Sequence, residues 1–275
     1  MTPPPPRHRN PLLHVISDTA VIAKRNVIKI KRVPEVLVFV VMSPIMFVLL
    51  FAYVFGNSID VAGSSYREFL IAGIFAQTVL FGATFTGAGI AEDMQKGIMD
   101  RFRSLPMSRS AVLTGRTLSD VVYNVISIAI MSITGLLVGW RIRGSVLDAV
   151  AGFALLLLFA YSVSWVMALL GLLVPNVEVI NNASFMVIFP LTFVANTFVP
   201  AESLPGPLRA FAEWNPVSAV TQASRELFGN IPPGTPEPRG WALQNPAAYT
   251  LIWVVITVGV FAPLAVARFS RASHR

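Results

Sequence analysis

Cysteine is absent from the 275 residues. That excludes disulfides, thiolate zinc sites and a cysteine nucleophile, so any extracytoplasmic part must stand without cross-links. Histidine is nearly absent as well. His8, His14 and His274 all sit in terminal segments, leaving no histidine triad or metal cluster at membrane depth. The chain has no G-x-x-x-x-G-K-[ST] run, so it does not hydrolyse ATP through a P-loop of its own and reads as no enzyme by itself. Charge is scarce too: 13% of residues are charged, 55% are hydrophobic and the mean hydropathy is +0.67. A soluble domain carries about 25% charge, so an ordinary water-soluble fold is excluded.

What is present is a series of long uncharged runs: Val36 to Phe55, Phe69 to Ala91, Val121 to Trp140, Val150 to Val174, Ala183 to Val199 and Ala247 to Ala267. Lipid satisfies no backbone hydrogen bond, and helices satisfy their own. The alternating segments of about 10 residues that a transmembrane barrel needs are not found. The expectation is an all-α, polytopic membrane protein with six transmembrane helices. About 20 residues cover the roughly 30 Å hydrocarbon core. The fifth run has only 17 residues with Pro190 in its middle, so it spans with a kink or re-enters, and spanning is favoured.

With the amino terminus in the cytoplasm, inside segments hold 15 Lys and Arg and outside segments 6, which places both termini inside. The formal charge of +7 clusters beside hydrophobic runs, which suits anionic lipid better than nucleic acid. Residues 1–35 read as a cytoplasmic tail that opens with Pro3 to Pro6. It continues into a basic segment where Leu13, Ile16, Ala20, Ala23 and Val27 recur at helical spacing. An amphipathic helix on the membrane surface is expected there, and no small-residue cleavage site of a signal peptide follows the first apolar run.

The six-helix region, 36–267, precedes a short basic cytoplasmic tail at 268–275. It carries two long connections. The first, 92–120, is cytoplasmic and charged. The second, 200–246, is external, and its stripes Leu204, Leu208, Phe211, Trp214 and Val217, Val220, Leu227 predict two short amphipathic helices facing the membrane interface. Asp120 and Asp148 stand near span ends and read as interfacial. The runs themselves hold no Asp, Glu, Lys or Arg, and no internal repeat is found; both facts argue against an ion-coupled secondary transporter and for energy supplied from elsewhere. A membrane-embedded lipid enzyme would need clustered His, Asp or Glu at one interface, which the sequence does not offer. A non-transporting assembly or immunity subunit fits the helices equally well.

The segment from Glu92 to Pro106 carries the most specific information. Its charges alternate in sign around Met94, Ile98, Met99, Phe102 and Leu105, a pattern that suits either a helix docking on a protein partner or a solvated loop. Its acidic pair, Lys96-Gly97 and the Asp-Arg-Phe-Arg-x-Leu-Pro run from Asp100 to Pro106 resemble the loop after the second span in permeases of type-2 ABC exporters, the daunorubicin-resistance branch. Lys29-Ile30-Lys31, the Ile-Phe-Pro-Leu-Thr-Phe core inside Phe185 to Val199, and Leu204 to Val217 ending in Asn-Pro-Val are similar to that pattern too.

The resemblance implies a permease in the bacterial inner membrane that pairs with itself and with two separately encoded ATPase subunits. It implies that this chain binds no cofactor and that ATP and Mg belong to the ATPase. It also implies a coupling helix formed by Glu92, Asp93, Lys96, Gly97, Met99, Asp100, Arg101, Phe102 and Arg103, with Met99 and Phe102 in a partner pocket and Asp93, Asp100 and Arg101 at its rim. An amphipathic drug or lipid-like substrate is implied as the cargo. Polar and aromatic residues in or beside spans are candidates for its path: Gln77, Phe81, Thr84, Asn182, Phe185, Phe189 and Asn196. The external Ile231 to Arg239 stretch, rich in proline, has no role that the resemblance explains.

Overall fold

The computed structural model describes residues 11–32, 42, 45–55, 66–104, 108–174, 176–231, 238 and 240–271. Among them the regular structure is helical throughout: α1 (Pro11–Arg32), α2 (Ile45–Val54), α3 (Tyr66–Gly82), α4 (Thr84–Gln95), α5 (Ile98–Ser104), α6 (Arg109–Val138), α7 (Val146–Leu173), α8 (Val177–Phe193), α9 (Gly206–Trp214), α10 (Pro216–Leu227), α11 (Trp241–Gln244) and α12 (Pro246–Arg271). Four continuous stretches are long and apolar enough to cross a membrane: Tyr66–Gln95, Ser110–Val138, Val146–Leu173 and Pro246–Arg271. Ile45–Val54 and Val177–Phe193 are shorter apolar helices. Part of the first apolar run, the first ten residues and most of the proline-rich 231–239 stretch lie outside the described residues.

Local chemistry sets the helix ends. Ser145 and Asp148 form a reciprocal capping box at the start of α7, satisfying two backbone donors that the first turn leaves open. Gly139, at φ 107°, closes α6, and the next amide returns to the Gly135 carbonyl at 2.9 Å. Asn215 accepts from the Val217 amide at 2.9 Å and, with Pro216 in the first turn, starts α10.

The α3–α4 stretch is the centre of the bundle, with 78% of its most apolar window buried, whereas α12 is peripheral at 22%. Helix α7 packs on α4, α6, α10 and α12. The main core joins Phe75, Phe153, Trp140 and Phe228 in edge-to-face and tilted contacts, so the α6–α7 turn and the end of α10 close over one aromatic cluster.

The helices extend beyond the apolar runs, and this corrects several expectations. Helix α6 starts at Arg109, so most of the expected 92–120 loop is helical. Glu68, Asp93, Arg116 and Asp120 therefore lie within helices. Asp120 is enclosed by protein at 5% exposed, and Thr86 of α4 donates to its carboxylate. Helix α1 forms where the amphipathic helix was expected, and one of its faces meets protein. Its inward stripe is Thr19, Ile22 and Asn26, packed on α6, while Ala20 faces outward. The close approach rests on Gly115, where a Cβ would lie 2.7 Å from Ile22 Cβ.

The two short helices expected before the last apolar run form, but only α9 keeps an exposed apolar face, at Leu208, Phe211 and Trp214. Helix α10 is interior. Its Arg225 is 2% exposed, with the guanidinium 3.5 Å from the centre of the Phe69 ring. Nε donates to the Phe69 carbonyl at 3.0 Å, and Nη2 donates to the carbonyls of Asn196 at 2.7 Å and Thr197 at 3.3 Å. Burial pulls its pKa down to about 9, so it remains charged at neutral pH.

Candidate functional site

Two regions combine exposed chemistry with a defined framework. The first is the corner between α4 and α5. Glu92 and Asp93 end α4, and Lys96-Gly97 makes the turn, with Gly97 at φ 65°, a conformation that glycine adopts without penalty. Lys96 Nζ lies 2.6 Å from Glu92 Oε1, and that hydrogen bond raises the Lys96 pKa. Gln95, Lys96, Asp100, Arg101 and Ser104 are exposed. Arg103 is in α5, and its side chain lies outside the described residues.

The corner's inner face differs from the expected division into anchor and rim. Met99 is 2% exposed and packs in a cluster with Ile90, Val112, Leu113, Trp165, Leu172 and Phe269, so it is an internal core residue and no partner anchor. Asp93 is 4% exposed and accepts from Arg25 Nη2 at 3.3 and 3.2 Å, which removes it from the rim. Phe102 is half-buried under the same guanidinium, 5.1 Å from the ring centre.

Arg25 is the residue that sequence reasoning missed. It sits in a basic run that reads as lipid-facing, and only its placement beside both Asp93 and Phe102 shows that α1 braces the corner. Asn26 donates to Ser119 at 3.3 Å, and the Ser108 amide donates to Asp18 at 3.3 Å, so the brace continues along α6.

The second region is an aromatic row. Phe81 of α3 meets Phe185 at 6.2 Å. Along α8, Phe185, Phe189 and Phe193 stack at 5.1 and 4.1 Å, as i,i+4 neighbours do on one helical face. The row continues through Phe198 at 4.8 Å to Phe51 at 4.6 Å and Phe47 at 6.0 Å. Phe185 is 56% and Phe189 37% exposed, on a face of α8 that also carries exposed Asn182.

The other path candidates part company here. Thr84 donates to the Phe81 carbonyl at 2.7 Å and sits at the break between α3 and α4. Gln77 is buried within α3. Asn196 is buried and structural: its amide nitrogen donates to Ser218 Oγ at 3.0 Å and its carbonyl accepts from Arg225. Phe47 and Phe51 were missed, since nothing in the first apolar run distinguishes them from lipid-facing residues.

Residues 17–228 match the ABC-2 type transporter family. The chain is 36% identical over 213 residues, 78% of its own length and 75% of the relative's, to a daunorubicin resistance ABC transporter permease protein of Streptomyces coeruleorubidus. It is 21% identical over 236 residues, 85% of this chain and 82% of the relative, to a probable doxorubicin resistance ABC transporter permease protein of Mycobacterium tuberculosis. A putative transport permease of Cyanophora paradoxa is 23% identical over 219 residues, 78% and 75% of the two chains. The chain therefore belongs to the ABC-2 type transporter family, as a multi-pass membrane permease.

Proposed function

We propose that this permease exports an amphipathic, aromatic-bearing compound, energised by a separate ABC ATPase that docks on the α4–α5 corner and holds the ATP and Mg. The observation that carries the reading is the linkage of two unlike surfaces by one helix. Helix α4 ends at the charged, exposed corner, and at its other end Thr84 bonds the carbonyl of Phe81, the first ring of the row. A corner braced by α1 transmits force rather than yielding to it, and an exposed stack of rings suits a flat apolar solute. The names of two relatives attach daunorubicin and doxorubicin resistance to those proteins, which supports a drug-like cargo here.

The permease acts as a homodimer with two ATPase subunits in the bacterial inner membrane, with six spans and both termini cytoplasmic. Asn181 and Asn182 are exposed on α8. An amide in hydrocarbon needs a partner, and a second copy facing α8 supplies one. Inverted vesicles containing the permease and its ATPase test the reading. They should accumulate a fluorescent anthracycline with ATP and not without it, and vesicles lacking the ATPase should not accumulate it. Uptake by the permease alone on an ion gradient sinks the proposal.

A further inference from the structure

The row of rings crosses from α8 to α2 through Phe198, which is 3% exposed and whose ring lies 4.8 Å from that of Phe193 and 4.6 Å from that of Phe51. Phe198 stands on no helix. It closes the turn 194–198 that follows α8, so its place is set by whatever holds that turn. Contacts between rings are singly weak and depend on their mutual orientation, and they do not fix a turn by themselves.

Side chains hold the turn instead. Three successive carbonyls, those of Asn196, Thr197 and Phe198, accept from them: Arg225 Nη2 donates to the first at 2.7 Å and to the second at 3.3 Å, and the Tyr66 hydroxyl donates to the third at 3.1 Å. Helix α10 adds further bonds. Asn215 Nδ2 donates to the Leu191 carbonyl at 2.7 Å, satisfying an acceptor that the end of α8 leaves open. Ser218 Oγ accepts from the backbone amide of Asn196 at 3.0 Å, and Gln222 Oε1 accepts from the Asn196 side chain at 3.4 Å. Positions 215, 218, 222 and 225 recur at helical spacing, so α10 carries a polar edge bonded to residues 191–197. From the other side α3 bears on the same turn: a Cβ on Gly73 would strike the Thr197 carbonyl, and Tyr66 lies beside Phe69, whose ring is under the Arg225 guanidinium.

We propose that Tyr66 and three residues of the α10 edge, Ser218, Gln222 and Arg225, are positioning residues for the cargo. Through the backbone of the turn they hold Phe198 in line between α8 and α2, so that an aromatic-bearing compound meets a continuous row. The inference rests on the aromatic-cargo reading above and deepens it, and its structural content is tested apart from transport. Because the bonds go to the backbone of one turn, losing them loosens one ring and leaves the rest of the row in place.

Tyr66→Phe and Ser218→Ala each remove one oxygen and keep the apolar packing. In the detergent-purified permease, 4-fluorophenylalanine replaces Phe198 or, as a control, Phe185 further along the row, and fluorine NMR reads the surroundings of each ring. When Tyr66→Phe and Ser218→Ala are combined, the resonance at position 198 should move or split while the one at 185 stays. Transport is then measured in vesicles holding permease and ATPase, with daunorubicin as the probe. The combined variant should raise the apparent KM about fivefold, the scale of one lost aromatic contact. Its maximal rate and ATP hydrolysis should stay close to those of the unsubstituted complex. A merely structural role lowers the maximal rate with the folded fraction and leaves KM alone.

An unmoved resonance at 198 overturns the proposal, as does one that moves together with 185, which reports general loosening. So does a lower maximal rate at unchanged KM. If the resonance at 198 moves alone but the unsubstituted complex transports no daunorubicin with ATP, the clamp on Phe198 stands and the aromatic-cargo reading falls.

Discussion

At the scale of single residues, the corner separates two apolar side chains that look alike in sequence. Met99 and Phe102 are three positions apart on α5, yet Met99 is 2% exposed in the internal cluster and Phe102 is half-buried under Arg25. Truncating a buried methionine costs about 2–5 kcal/mol of stability, because a cavity replaces its contacts. Truncating an interface anchor costs about 2 kcal/mol or more of binding, whereas an exposed ion pair contributes about 1 kcal/mol or less. Met99→Ala should therefore lower the melting temperature of the detergent-purified permease while the surviving folded protein still captures the ATPase. Phe102→Ala should melt almost normally and lose capture by tenfold or more. Lys96→Ala should change neither by more than a small factor. Pull-downs at matched membrane levels and thermal melting check all three, and capture by Phe102→Ala equal to the unsubstituted chain removes Phe102 as an anchor. The residue types and their spacing were legible in the sequence. Which of them points inward was not, because the partners of Met99 come from α4, α6, α7 and α12.

At the scale of elements, helical existence was legible and helical environment was not. Helices α9 and α10 were both expected to face the membrane interface, since each has an apolar stripe at the right period. The stripe of α9 is exposed, whereas α10 carries a buried arginine whose Nε and Nη2 donate to three carbonyls from α3 and the turn after α8. Periodicity reports an apolar face without saying whether lipid or protein covers it. A lysine at position 225 has one ammonium group and cannot reproduce a guanidinium fork. Arg225→Lys should cost about 2 kcal/mol, from lost charge-assisted hydrogen bonds, and should lower the melting temperature of the purified permease. A melting curve identical to that of the unsubstituted chain shows that α10 is held by its apolar contacts alone. In α8 the sequence exposed the marginal length and Pro190, and the helix is indeed short, ending at Phe193. The stack of phenylalanines along it was visible only as a composition bias, because the continuation through Phe198 to Phe51 and Phe47 crosses three chain segments.

For the molecule as a whole, the proposed orientation is open to a direct test that the absence of cysteine makes clean. Ser17 of α1 and Ser203 before α9 are both exposed. In intact cells a cysteine at Ser17 should resist an impermeant thiol reagent and one at Ser203 should react; the reverse pattern overturns the inside-positive assignment. Ser224 makes the contrast plain, since it lies in the middle of the same expected external connection yet is 0% exposed. Composition and hydropathy by themselves determined that the chain is helical and membrane-embedded, and the Asp100 to Pro106 run carried its family. Those properties follow from which segments tolerate lipid and from short contiguous motifs, and both are local. Tertiary structure alone decided that α1 braces the corner, that Asp120 is enclosed, that α10 is interior and that seven phenylalanines join in one row. Arg25 and Asp93 are 68 positions apart and Arg225 and Phe69 are 156. A buried charge is tolerated only where its distant partners meet it, and no local pattern of residues records where that will be.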